Sequence, residues 1–338
     1  LSIKNKAILG TKWTTLSTIA IAITSIIKLS VLTRFLDKED FGLMALVNVV
    51  LGFMNLFMDL GLATAILHFQ NMTKKEYASL YWTNILMSLM LFLLLVVISP
   101  FIAGFYQEPE LGFILILMSL SVLIAAIGRQ FKTIEQKELN FKIISIIEIS
   151  STVVSLILAI ILALLDFGVY ALVLSALCYY LITNLAFFIR GVVKNGLLFH
   201  LKFKETRKFL KIGIYQMGGQ TLNYFNKDLD ILIIGKLLGS EVLGGYSLAK
   251  QLVARPAMII NPILMKVLSP TLSKYQDYPK ELKSKYLKVN RSLTTVNFFA
   301  YLGIIIFAPF LVDLLYGDNF AHIAPLVQLL SIYMYIRS

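Results

Sequence analysis

Ten stretches of about 20 residues, each almost wholly apolar, divide this chain, and no soluble fold can hide so many. They run over 13–33, 41–67, 80–103, 111–128, 143–165, 168–189, 210–235, 241–268, 292–315 and 321–336. At ~1.5 Å per residue such a run matches the hydrocarbon thickness that an α-helix must cross. The runs are continuous instead of alternating with period two, and unsatisfied backbone groups are costly in lipid, so helices are favoured over a β-barrel. Composition supports this: 58% of the 338 residues are hydrophobic and 15% are charged, against about 25% charged in a soluble domain. The expected fold class is all-α, a polytopic membrane protein of about ten transmembrane helices. Its short connections leave no room for a separate soluble catalytic domain.

A net charge of +12 would raise nucleic-acid binding for a soluble protein. The distribution removes that reading. Basic residues gather at the amino end (Lys4, Lys6, Lys12) and in alternate connections, such as Lys74 and Lys75, then Arg129, Lys132, Lys137 and Lys142. The connections 190–209 and 269–291 are richer still, whereas the intervening ones hold only Arg34, Lys38 and Lys236. The asymmetry predicts a cytoplasmic amino terminus and no nucleic-acid partner. The first run is too long for a signal-peptide core and lacks a small-residue cleavage site. The single Cys178 lies in an apolar run and says nothing about redox compartment.

Shifted by 202 residues, the chain matches itself: Arg34-Phe-Leu-Asp-Lys-Glu-Asp-Phe-Gly42-Leu-Met-Ala-Leu46 falls on Lys236-Leu-Leu-Gly-Ser-Glu-Val-Leu-Gly244-Gly-Tyr-Ser-Leu248. Both stretches join the first helix of a half to its second, six spans apart, which predicts parallel repeats about an axis along the membrane normal. The alternative is that short membrane loops look alike by composition.

With Asp59-Leu-Gly61, Gln136-Lys-Glu-Leu-Asn-Phe-Lys142 leading to Glu148, and Leu315-Tyr-Gly317 with Phe320, the stretch Thr33 to Gly42 carries a resemblance. In these motifs and their order the chain resembles the Wzx-type polysaccharide-biosynthesis flippases of the multidrug/oligosaccharidyl-lipid/polysaccharide (MOP) exporter superfamily. The resemblance implies a MATE-like, two-lobed bundle of 12 to 14 helices working by alternating access. Residues 1–200 would form the amino-terminal six-helix lobe and 201–338 the first four helices of the second, with more helices expected after residue 338. It also implies the cargo, a polyprenyl-diphosphate-linked oligosaccharide moved from the cytoplasmic to the outer leaflet. Membrane lipids, and polysaccharide polymerase and export proteins, are the implied partners; no cofactor is expected beyond a coupling proton or sodium ion.

Charges inside the apolar runs are costly and call for partners, water or a polar cargo. Lys28 and Asp230 lie at equal depth, each about 9 Å from the helix end, and the 202-residue register superposes them. Lys227, Asp228 and Asp230 with Lys28 read either as an ion-paired outer gate or as local pairs ending an apolar run. Arg255 and Lys266, 11 residues apart, return to within about 20° of one helical face, with Gln251 one turn before Arg255. Pro256 and Pro262 between them are expected to kink or loosen the helix. Guanidinium and ammonium groups suit a diphosphate, so Arg255, Lys250, Gln251 and Lys28 are the expected substrate-binding residues. Lys266 reads equally as a side chain reaching the interface.

Asp59 and Glu148 are acidic residues in apolar surroundings and candidates for ion coupling. Glu148 reads rather as an interfacial partner of Lys142 or Arg129, and Asp59 equally as a hydrogen-bond partner of Thr14, Thr15 or Ser17. His68, His200 and His322 lack ligand spacing, and no phosphate loop or nucleophile elbow occurs. No catalytic or metal-binding residue is expected. Two rival readings are another exporter of the same superfamily, for drugs or a peptidoglycan precursor, and a membrane-embedded glycosyltransferase or polymerase.

Overall fold

The computed structural model describes residues 3–59, 62–69, 72–273 and 278–337. They form α1 (Ile3–Leu32), α2 (Lys38–Asp59), α3 (Leu62–His68), α4 (Lys74–Tyr106), α5 (Pro109–Lys137), α6 (Phe141–Leu164), α7 (Val169–Asn195), α8 (Phe203–Ser273), α9 (Pro279–Tyr316) and α10 (Ala324–Arg337). A 3-10 segment, Asp318–Ile323, leads into α10. Among the described residues nine helices are long and apolar enough to cross a membrane.

The ten runs read from sequence become nine because 210–235 and 241–268 share α8. Its backbone leaves helical geometry only at Gly239, with φ 80° and ψ 174°. Glycine alone adopts those angles cheaply, so one residue does what a loop does elsewhere. The expected disruption at Pro256 and Pro262 is not where the backbone departs from helix. The run 41–67 is likewise two segments, α2 and α3.

Helix ends extend past the apolar runs. Helix α4 starts with a full capping box: Thr73 accepts the Glu76 N–H, while the Glu76 carboxylate accepts the Thr73 N–H at 2.9 Å. Helix α5 runs on to Lys137 and stops where Leu139 takes φ 61°. Arg129, Lys132 and Lys137, read from sequence as loop residues, therefore lie on α5. Arg190 and Lys194 lie on α7 in the same way.

Residues 1–28 and 35–243 form one compact unit. Helix α5 is its spine, packed against α2, α3, α4 and α7. Leu111, Ile114, Leu115, Met118 and Val122 on α5 are all buried. Tyr81, Phe131, Ile144 and Phe187 make a second cluster near the far end of that helix. Ser119 and Ser121 donate to Ile116 O and Met118 O, so buried hydroxyls cost little. Outward faces are apolar, with Phe101, Phe113, Ile157 and Ile189 exposed, as a lipid solvent requires.

One backbone contact in this unit uses the repeated motif. A Cβ on Gly42 would lie 1.9 Å from the Ser240 carbonyl oxygen, so only glycine lets α2 pass there. Ser240 donates from its hydroxyl to Glu108 at 2.5 Å. Gly239 sits where the 202-residue register places Asp37, just before α2, so both stretches interrupt a helix at matching positions. At the first, the Asp40 carboxylate accepts the Asp37 N–H at 3.1 Å.

Residues 29–34 and 244–338 form the other unit. Helices α9 and α10 and the 3-10 segment pack together around buried Val312, Tyr316, Phe320 and Val327. The Tyr316 hydroxyl donates to Leu248 O at 3.2 Å, and Gln328 to Ile305 O at 3.0 Å. Thr33 donates to Leu315 O at 3.4 Å, holding the end of α1 in this unit.

Candidate functional site

Lys28 stands on α1 within the apolar segment Leu9–Leu32, one of the candidate membrane spans. Its ammonium donates to Ser175 Oγ at 2.7 Å and to Ser155 Oγ at 3.4 Å. Those serines come from α7 and α6. Each spends its own proton on a carbonyl, Ser155 on Ser175 O at 2.7 Å and Ser175 on Leu172 O at 3.0 Å. Both hydroxyl oxygens are thereby left to accept from the lysine. Among the described residues Lys28 makes no ion pair. The arrangement solvates the charge without neutralising it, which leaves its field available to an anion.

The expected pairing of Lys28 with Asp230 is not made in this conformation. The Asp230 carboxylate accepts the Ile231 N–H at 2.9 Å, and the lysine is spoken for by the two hydroxyls. Along the same stretch of α8, Lys227 is exposed while Asp228 and Asp230 are half-buried. Asp228 lies near Tyr224, whose hydroxyl donates to Val49 O on α2. This fixes the helix turn that carries the charges.

In the other unit, Lys250 and Arg255 are half-buried on α8 and Gln251 is exposed. Arg255 lies close enough to the Tyr316 hydroxyl to bear on it electrostatically. The side chains of Asp59 and Lys266 lie outside the described residues.

Several polar residues escape the sequence reading because α5 is longer than its apolar run. Arg129 donates to Asn55 Oδ1 at 2.8 Å, and Asn55 is oriented by its own donation to Leu51 O at 2.9 Å. Arg129 is also within electrostatic reach of Tyr180 on α7. Glu148 pairs with Lys132 at 2.6 Å, not with Lys142 or Arg129. The α5 extension puts Lys132 on a helix facing α6, where Lys142 instead lies over the Trp13 ring at 5.6 Å. The signal that could have found these residues is i, i+3 spacing of Arg129 and Lys132 continuing the α5 register.

A second polar cluster closes the ends of α5 and α7. Glu135, only 3% exposed, accepts from Arg190 Nε at 3.0 Å, from Lys194 at 3.4 Å and from Asn140 at 2.7 Å. Glu138 completes it by pairing with Lys194. Beyond α7 the connection 196–202 lies on the start of α4. The Trp82 indole N–H donates to Leu198 O at 3.0 Å, and the Lys202 N–H to Ser79 Oγ at 3.2 Å. Ser79 in turn donates to Glu205 at 2.9 Å, and His200 Nε2 lies 3.1 Å from the same oxygen. Hydrogen bonds from His200 and then Ser79 hold the Glu205 carboxyl below its usual range. Among the described residues no group of three or more His, Cys, Asp or Glu is arranged to hold a metal ion.

Comparison with known proteins places this geometry. Residues 31–325 match the profile of a family described as polysaccharide biosynthesis protein. WzxC of Escherichia coli strain K12, a lipopolysaccharide biosynthesis protein, is 28% identical over all of this chain and 69% of its own length. TuaB of Bacillus subtilis strain 168, a teichuronic acid biosynthesis protein, is 30% identical over 99% of this chain and 70% of its own. An uncharacterised membrane protein in the cps region of Klebsiella pneumoniae is 31% identical over 98% and 69%. In fold, the chain is similar to a multidrug-resistance MATE transporter of the MOP superfamily solved in an inward-facing conformation. That match has a TM-score of 0.69 at 14% identity, covering 94% of this chain and 78% of the other.

Proposed function

This chain belongs to the polysaccharide biosynthesis protein family, and from that membership we propose that it is a flippase of the inner membrane. Its cargo is a polyprenyl-diphosphate-linked oligosaccharide destined for a surface polysaccharide, carried from the cytoplasmic to the outer leaflet. The amino terminus is cytoplasmic, on the side where the basic connections gather. Transport proceeds by alternating access of two helical halves, one made of residues 1–200 and one that begins at residue 201, with a proton or sodium ion as the coupling species. Polymerase and export proteins take over the translocated cargo. The chain acts as a transporter, not an enzyme.

The observation that carries this reading is Lys28, a membrane-embedded ammonium solvated by Ser155 and Ser175 and, among the described residues, paired with no carboxylate. A diphosphate supplies the missing charge. Arg255, Lys250 and Gln251 provide further head-group contacts. Lys227, Asp228 and Asp230 serve as the gate, and Asp59 is the coupling residue. The superfamily fold and relatives named for lipopolysaccharide and teichuronic acid synthesis support a polymer precursor as cargo.

Reconstitution in vesicles with a fluorescent undecaprenyl-diphosphate oligosaccharide tests the reading. Arg255→Ala, Lys250→Ala and Lys28→Met should each slow transfer to the outer leaflet by about tenfold, the effect of one lost charge-assisted contact. Transfer at the parent rate by all three would overturn the head-group assignment. No transfer by the parent would overturn the cargo.

A further inference from the structure

A cavity of about 290 Å³ opens between the start of α4, the far part of α5, the end of α7 and the connection after it. Its apolar walls are Tyr77, Tyr81 and Phe131, and Lys74 and Lys194 stand on its rim with Glu138. None of these residues belongs to the transport site proposed above, and the inference does not rest on that reading.

Three features of the cavity specify chemistry. Gln130 lines it and is 3% exposed. Its Nε2 donates to Tyr77 O at 2.9 Å, but its Oε1 is buried with no hydrogen-bond partner among the described residues. A buried acceptor of this kind costs about 1–3 kcal/mol until a donor reaches it, so an occupant carrying a hydroxyl or N–H is favoured. The second feature is charge. Of the charged residues lining the cavity, Lys194 pairs with Glu138, while Lys74 makes no ion pair among the described residues, so the lining is net positive and suits an anion. The third is place: Lys74 opens a membrane-spanning helix and Lys194 ends one, which sets the rim at a membrane interface. Basic pockets between membrane helices take anionic head groups.

We propose that this cavity binds a hydroxyl-bearing phosphate ester, an anionic glycerophospholipid head group, with its phosphate at Lys74 and a hydroxyl donated to Gln130 Oε1. The head group would then brace the connection 196–202, since Leu198 lines the cavity and holds the Trp82 indole through its carbonyl.

Trp13 and Trp82 are the only tryptophans in the chain, so Trp13→Phe leaves Trp82 as a reporter of the occupied cavity. Full-length protein carrying that substitution, in maltoside detergent, is titrated with short-chain phosphatidylglycerol, short-chain phosphatidylcholine and glycerol 3-phosphate. Phosphatidylglycerol should shift Trp82 emission saturably and bind at least about tenfold more tightly than phosphatidylcholine. Gln130→Met and Lys74→Gln should each weaken it about five- to tenfold. Equal affinity for glycerol 3-phosphate would support the same contacts with a soluble phosphate ester as the occupant. Identical titrations by the two lipids, or parent-like binding by Lys74→Gln, would overturn the proposal. Lys74 is exposed, so that variant keeps the test decisive even where Gln130→Met disturbs folding.

Discussion

Two groups of cations in the first unit are housed in opposite ways. Arg190 and Lys194 converge on the buried Glu135 carboxylate, and Lys194 also on Glu138. Among the described residues Lys28 meets the hydroxyls of Ser155 and Ser175 and no carboxylate. A cation matched by a carboxylate is electrically spent and ties helix ends together. One held by neutral oxygens is kept in place at a cost yet remains able to attract an anion. The contrast separates a structural charge from a working one without reference to what either residue is called in a relative.

The contrast breaks most sharply at Glu135. Glu135→Ala removes the acceptor that Arg190, Lys194 and Asn140 share, and should cost about 2–3 kcal/mol of stability. That lies at the low end for a buried pair, because water reaches both cations and screens what remains. Thermal unfolding of detergent-purified protein measures it; an unchanged midpoint would make the cluster ornamental.

Lys28→Met should do the reverse, leaving the unfolding midpoint equal or higher while abolishing most transfer, because an apolar side chain suits the helix better than a charge does. Should stability fall instead with transfer intact, the two groups would not differ in kind.

Glu205 is an intermediate case, a carboxylate near the surface served by His200 and Ser79, and its effect should be the smallest. Its pKa in the folded protein is depressed, so its contribution is complete above the unfolded carboxylate value, about 4.3, and fades as pH falls through the folded one. Protection of the amides at 196–202, taken relative to their intrinsic exchange rates, should therefore fall as the pH drops below about 4. In Glu205→Gln that pH-dependent loss should be absent.

The sequence is most legible where lipid sets the rule. Apolar runs mark the spans, and the self-match at 34–46 and 236–248 marks two interruptions that the backbone makes at Asp37 and Gly239. Hydropathy does not show where helices end, because it reports only which residues face hydrocarbon. The stop at Leu139 is a backbone angle, and α5 reaches it by carrying Arg129, Lys132 and Lys137 beyond its apolar part. Partner choice is less legible still. Register alone sets Lys28 against Asp230, yet the serines of α6 and α7 reach it first. Nothing in a serine's sequence context announces that its proton is already committed to a carbonyl. The Lys132 to Glu148 pair depends on the same helix extension and is hidden for the same reason.

The connection 196–202, with its neighbouring lysines and its glycine, looks from composition like slack, a convenient place for an epitope or a fluorescent fusion. Trp82, Ser79 and Glu205 make it a fastened strap, so an insert there would have to prise Leu198 and Lys202 from their seats. A reporter grafted into that segment would report chiefly on its own intrusion.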